Sequence, residues 1–196
     1  MKEMRELKEM KEMKESRKTR YTKTVLKDSL IELMKEKPIS KITIKELCEK
    51  ADVNRTTFYA HYADQYQLLK SIEDETFSRA REAIAGFSGK TDKNDTIRYL
   101  EQIFEYVVEN GSHIQVLMSE RGGIDFQRNL LSIIYEQCDI RFISGISENP
   151  EKIALYFVFL VNGSVGLIQH WLKTDLKETP HEMSEIIYSM TYGLSQ

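Results

Sequence analysis

The chain has 196 residues, 41% of them hydrophobic and 30% charged, so it holds enough apolar material to bury a core and is not disordered as a whole. A net charge of −3 excludes a uniformly basic coat, but the charge is unevenly spread. Residues 1–62 carry 16 Lys and Arg against 11 Asp and Glu, and residues 63–196 carry 12 against 20, so a basic head suited to polyanions precedes an acidic remainder.

The first 18 residues, MKEMRELKEMKEMKESRK, are strong helix formers whose apolar stripe is too narrow to demand burial; a frayed, solvated helix or tail is expected. They contain no apolar h-region, which argues against a secretory signal and for a cytoplasmic protein. Arg17, Lys18 and Arg20 are candidates for a basic arm against a nucleic-acid backbone. From Thr22, the positions Leu26, Leu30, Leu33 and Met34 recur at helical spacing until Pro38 stops the first amphipathic helix. Thr43 and Glu46 then form a T-x-x-E capping box, which predicts a second helix over residues 44–51 with Ile44, Leu47 and Cys48 inward. In Asp52-Val53-Asn54, Asp tolerates a left-handed turn, Val53 plugs inward and Asn54 caps a third helix. That helix starts near Arg55 and runs about two turns to His61 or Tyr62, where Phe58 and Tyr62, four apart, face a core. Asp64 caps a long fourth helix carrying Leu68, Leu69, Ile72 and Phe77.

After a Gly-rich break around Gly86 to Gly89, residues 95–110 place Ile97, Leu100, Phe104, Val107 and Val108 on one helical face ending at Gly111. A short segment at His113 to Met118, the Arg121-Gly122-Gly123 loop and a helix near residues 125–143 follow. Asn149-Pro150 opens a long helix with no charge between Lys152 and Lys173, enough to span a bilayer. Asn162, Gly163, Ser164, Gly166, Gln169 and His170 in its second half point instead to a helix buried on most sides, in a core or a subunit interface. Thr179, Pro180 and Glu182 start a last helix that runs to Tyr192. With no strand pattern, the expected fold is all-α: a charged extension (1–18), a three-helix helix-turn-helix head (19–63) and a helical body (64–196).

Cys48 and Cys138 are isolated, so both read as reduced core residues with neither a zinc site nor a disulfide framework. His61, His113, His170 and His181 share no ligand spacing, and no phosphate loop or nucleophile motif occurs, so no metal, cofactor or enzyme is expected. Two short helices joined by a three-residue turn form instead the unit that places its second helix in the DNA major groove. Arg55, Thr56, Thr57, Tyr59 and His61 supply hydrogen-bonding groups there for base edges and phosphates.

Residues 42–62, ITIKELCEKADVNRTTFYAHY, followed by Leu68-Leu69, resemble the DNA-binding domain of tetracycline-repressor-type regulators over about Arg17 to Glu75. Thr57-Phe58-Tyr59-Ala60-His61-Tyr62 stands where that family has its third-helix core. Within the family, Asp64 to Leu69, Phe126-Gln127-Arg128 and Gly163 to Trp171 resemble the branch related to the dihydroxyacetone-kinase coactivator. Two positions depart: Asp52 replaces the usual turn glycine, and Gln65 stands where many members have lysine, removing one expected phosphate charge. The resemblance implies that Arg55, Thr56 and Thr57 approach bases while Tyr59, His61 and Lys45 hold phosphates; Asn54 at the cap and Gln65 at the start of helix four complete the candidate DNA-contacting set. It further implies a repressor that binds a near-palindromic operator in double-stranded DNA as a homodimer, with residues 64–196 as its helical regulatory, ligand-binding and dimerisation body. The uncharged surface of Phe157, Leu160, Val161, Val165, Ile168 and Trp171 is the candidate interface, with Gly163 and Gly166 permitting close approach. Phe104, Met118, Phe126, Tyr135 and Tyr156 are candidates to line an apolar pocket for a small-molecule effector. A coactivator that answers to a partner protein is the alternative reading.

Overall fold

The computed structural model describes residues 2–87, 92–119, 121–122, 124–137 and 149–192. These residues form helices and turns with no strand, the all-α class that the sequence pattern predicts. They divide into two compact units, residues 1–73 and 74–196. The division falls inside the fourth helix, later than the boundary at 63/64 read from the sequence, because Leu68, Leu69 and Ile72 are buried side chains of the first unit.

The first unit holds α1 (Lys2–Glu36), α2 (Ile44–Ala51), α3 (Arg55–Tyr59) and the start of α4 (Gln65–Phe87). Helix α1 begins far upstream of the apolar periodicity, because Lys, Glu, Met and Leu all favour helix and no breaker precedes Pro38. Leu26, Leu30, Met34, Leu47, Phe58 and Leu68 are fully buried and draw all four helices onto one core. A single 3-10 turn at Ile39–Lys41 joins α1 to α2. At the start of α2 the Thr43 hydroxyl accepts the Glu46 amide at 3.2 Å, and the Lys37 ammonium donates to both Glu46 oxygens at 2.6 and 2.7 Å. The Lys37 hydrogen bond, aided by the Thr43 backbone amide, holds the Glu46 carboxyl below the usual carboxylate range. Thr43→Ala is expected to lower stability by about 1 kcal/mol through loss of this cap. Urea unfolding followed by circular dichroism measures it; Thr43→Ser should restore most of the loss.

In the second unit, α5 (Lys93–Glu109) packs along α9 (Pro180–Tyr192). Between them in sequence come α6 (Gly111–Leu117), α7 (Ile124–Gln137) and α8 (Pro150–Lys173), of which α8 packs on α6, α7 and α9. Asp92 caps α5 by accepting the amides of Asn94 and Asp95, so the helix starts at Lys93, earlier than its apolar face indicates. Asn149 caps α8, with Pro150 in the first position where its missing N–H costs nothing. Thr179 and Glu182 make the reciprocal box at α9. Gly122 is required where it stands: a Cβ there would overlap the backbone of Leu117. The expected run of α7 to Ile143, the end of the break at Gly89 and the reading of Cys138 lie outside the described residues.

Helix α8 is long and apolar enough to cross a membrane by composition, yet it is one layer of this helical unit. Its burial departs from expectation. Val161, Trp171 and Leu172 are buried, while Leu155, Val158 and Phe159 are exposed, so within the chain the helix is covered on one side only.

Candidate nucleic-acid interface

Local bonding in the first unit dictates how α3 is presented. Asp52 ends α2 in the left-handed region (φ 52°, ψ 43°), a conformation that Asp tolerates better than most non-glycine residues, so the departure from a turn glycine is accommodated. The Val53 amide then donates to the Cys48 carbonyl at 3.0 Å, and Asn54 starts α3 by accepting the Thr56 amide at 2.8 Å on its side-chain oxygen. Phe58 is wholly buried and Tyr62 nearly so, with ring centroids 5.9 Å apart, which clamps one side of the helix to the core. The opposite side therefore faces out: Arg55, Thr56 and Tyr59 are exposed, and Thr57 and His61 are half-buried.

The regular part of α3 is shorter than the two turns expected. It ends at Tyr59, after which the Phe58 carbonyl accepts both the His61 and the Tyr62 amides at 2.9 Å and winds the chain into a tight final turn. His61 thus sits on that turn, its ring against Tyr62, and not on the helix proper. Immediately beyond, Asp64 accepts the Gln67 amide at 2.8 Å and starts α4, leaving Gln65 half-buried at its first position.

Lys45 is exposed on α2, 3.8 Å from Glu49 one turn on, a separation at which the pair contributes little and yields readily to a phosphate. Lys45, Asn54 and Arg55 come together around one open concavity of about 410 Å³, whose wall also includes Cys48, Glu49, Asp52 and Val53. Cys48 is a buried free thiol; burial pushes its pKa up, with Arg55 opposing, so it stays protonated at neutral pH. Glu49 and Asp52, absent from the sequence-derived site, line the same concavity and put negative charge beside Arg55 and Lys45. Tyr66, exposed on the first turn of α4, also escaped the sequence reading, because periodicity does not report which tyrosine faces solvent.

In the second unit four of the candidate pocket residues are engaged in packing and Tyr156 is not. Phe104 meets Trp171 edge-on at 5.6 Å, Phe126 stacks on Phe77 at 4.9 Å, and Met118 is buried. Tyr135 packs against Phe157 at 5.5 Å and its hydroxyl accepts a hydrogen bond from Asn162 at 2.8 Å, whereas Tyr156 lies at the surface. The candidate interface is also redistributed. Val161 and Trp171 are taken up by the unit's own core, with the Trp171 indole donating to the Glu178 carbonyl at 3.1 Å, and Phe157, Leu160, Val165 and Ile168 are half-buried. The face left uncovered is the opposite one, with Leu155 71% and Phe159 68% exposed and open space above Gly163 and Gly166.

Residues 28–72 match the family model of bacterial regulatory proteins of the tetR family, and residues 94–193 match that of a transcriptional regulator C-terminal region. The chain is 23% identical over 168 residues to the uncharacterized HTH-type transcriptional regulator YxbF of Bacillus subtilis strain 168. That match covers 84% of this chain and 43% of the other, so the chain spans less than half of that relative's length. Among solved structures, a TetR transcriptional regulator from Streptococcus agalactiae 2603V aligns with a TM-score of 0.60 at 24% identity, covering 91% of this chain and 98% of that one. The dihydroxyacetone kinase operon activator DhaS aligns with a TM-score of 0.53 at 14% identity, covering 88% and 94%. At these identities the two likenesses are of fold.

Proposed function

Because the chain belongs to the tetR family of bacterial regulatory proteins, we propose that it is a cytoplasmic transcriptional regulator that reads a near-palindromic DNA operator as a homodimer. The observation that carries this reading is α3: a helix pinned by Phe58 and Tyr62 on one side, with Arg55, Thr56 and Tyr59 outward on the other. Its side chains offer a bidentate donor, a hydroxyl and a phenol, which suit base edges and phosphates in a major groove. Lys45 and His61 are assigned to phosphates. Asn54 acts by setting where α3 begins, since its oxygen is committed to the cap. Gln65 at the α4 N-terminus contributes an uncharged phosphate contact.

One helix this short covers too little DNA for specific binding, so two copies are needed. The uncovered stripe of α8, from Leu155 through Phe159 and Asn162 to Gly163 and Gly166, is the proposed dimer surface. Half-buried Leu160 and Val165 support it from within. Regulation is proposed to come from an effector bound by residues 74–196, with α4, which belongs to both units, as the covalent route to the head. An effector of this kind raises the melting temperature and lowers operator affinity in the same concentration range.

The decisive experiment selects bound duplexes from a random library and then measures Arg55→Ala and Tyr59→Ala against the selected sequence. Arg55→Ala is expected to lose about 10-fold or more in affinity and to relax the preference at one base pair per half-site. Tyr59→Ala is expected to weaken all duplexes alike. Unchanged affinity in both variants, at unchanged helicity, removes α3 as the recognition element.

A further inference from the structure

Helix α1 changes electrostatic character along its length. In the sequence, Lys2, Arg5, Lys8 and Lys11 are each followed four residues later by a glutamate, the spacing at which opposite charges on a helix neutralise one another. The pattern then stops. Between Glu15 and Asp28 there is no acidic residue, and the stretch holds Arg17, Lys18, Arg20, Lys23 and Lys27. Arg17, Arg20 and Lys23 follow one another at three-residue spacing, so they run along one side of α1, and all three are exposed. The positions three and four residues from each hold only uncharged or basic side chains. Five cations elsewhere on the described helices differ: Lys35, Lys45, Arg79, Arg98 and Arg128 each lie within reach of a carboxylate three or four residues away.

Like charges at helical spacing repel, so a row of this kind weakens its own helix unless something anionic neutralises it. Tyr21 stands amid the row with 70% of its surface exposed, an aromatic ring with a hydroxyl that nothing in the core requires. Thr22 and Leu26 on the adjacent face are buried, so the row is held on a packed part of the first unit.

We propose that Arg17, Arg20 and Lys23, with Tyr21 among them, form a second DNA-contacting surface that neutralises backbone phosphates and is separate from the base-reading α3. The proposal rests on the DNA-binding reading of the head, but it concerns sequence-independent binding, which arises from counterion release rather than from base contacts. The row therefore adds affinity for any duplex, while specificity stays with Arg55.

The test is the combined variant Arg17→Gln, Arg20→Gln and Lys23→Gln, which keeps helix propensity while removing three charges. Its binding to the selected operator and to a scrambled duplex of equal length is measured from low to moderate salt. The expected result is a log–log salt dependence shallower by about 5 for the dimer, which loses three phosphate contacts on each protomer at about 0.9 per contact. Affinity at physiological salt should fall by about 100-fold or more on both duplexes, leaving their ratio unchanged. The matching variant Arg17→Lys, Arg20→Lys keeps the charges and should retain the slope, which separates neutralisation from altered packing. An unchanged slope and affinity overturns the proposal, as does a loss confined to the operator. A failure of the α3 reading shows differently: Arg55→Ala would leave the operator-to-scrambled ratio unaltered while the glutamine variant still changed the slope.

Discussion

Phe159→Glu is expected to convert the protein from dimer to monomer and to weaken operator binding by about 10²- to 10⁴-fold, the advantage lost when two linked reading heads become independent. Phe159 is the informative position because 68% of it is exposed, so a carboxylate there costs the folded chain almost nothing and acts only when a second copy closes over the stripe. Leu160 and Val165 on the inner side are half-buried, and charge there would mix misfolding with dissociation. Sedimentation equilibrium and helicity, measured on the same sample, separate the two. A dimer of unchanged affinity carrying Phe159→Glu moves the interface off α8. Full helicity in a monomer with wild-type affinity removes the need for two heads.

Phe58→Ala is expected to destabilise the first unit by about 3–5 kcal/mol, the usual range for deleting a buried aromatic ring. Such a loss is comparable to the whole stability of a small domain. Phe58 is fully buried, stands edge-on to Tyr59 at 5.5 Å and tilts against Tyr62, and its carbonyl closes the final turn by accepting two amides. Removing the ring leaves Arg55 and Tyr59 chemically intact but no longer held in register, so operator binding should vanish together with cooperative unfolding of the head. Phe58→Leu, which refills most of the volume, should recover much of both. Retained binding by the alanine variant at full affinity would mean that this packing does not present the recognition helix. Urea unfolding and a gel-shift titration on each variant supply the two readings.

Much of the head was legible in the sequence because its determinants are local. The Thr43/Glu46 box, the left-handed Asp52 and the Asn54 cap each act within four residues, so their spacing alone locates α2, the turn and the start of α3. The end of α3 was less legible. Whether the chain continues as helix past Tyr59 depends on Phe58 and Tyr62 finding a shared core and on Asp64 capping α4 at once, and periodicity over so short a segment does not report that. The length of α1 follows from propensity: of the two forms expected for the first 18 residues, a helix or a tail, the chain takes the helix.

The body divides the same way. Asn149-Pro150 and Thr179-Pro180 mark the starts of α8 and α9 through caps that need no tertiary partner. What only the packed structure decided is the sidedness of α8. A helix that is apolar nearly all round carries no stripe to say which face turns inward, so Val161 and Trp171 looked as suitable for an interface as Leu155 and Phe159 do. Packing of α6, α7 and α9 against one side resolves it, burying the first pair and leaving the second exposed. The aromatics of the body show the same limit: composition suits Phe104 and Phe126 to a pocket wall or to a core, and only the structure shows that they pack against Trp171 and Phe77. Short-range bonding is written residue by residue along the chain, whereas burial is a property of what arrives from elsewhere in it.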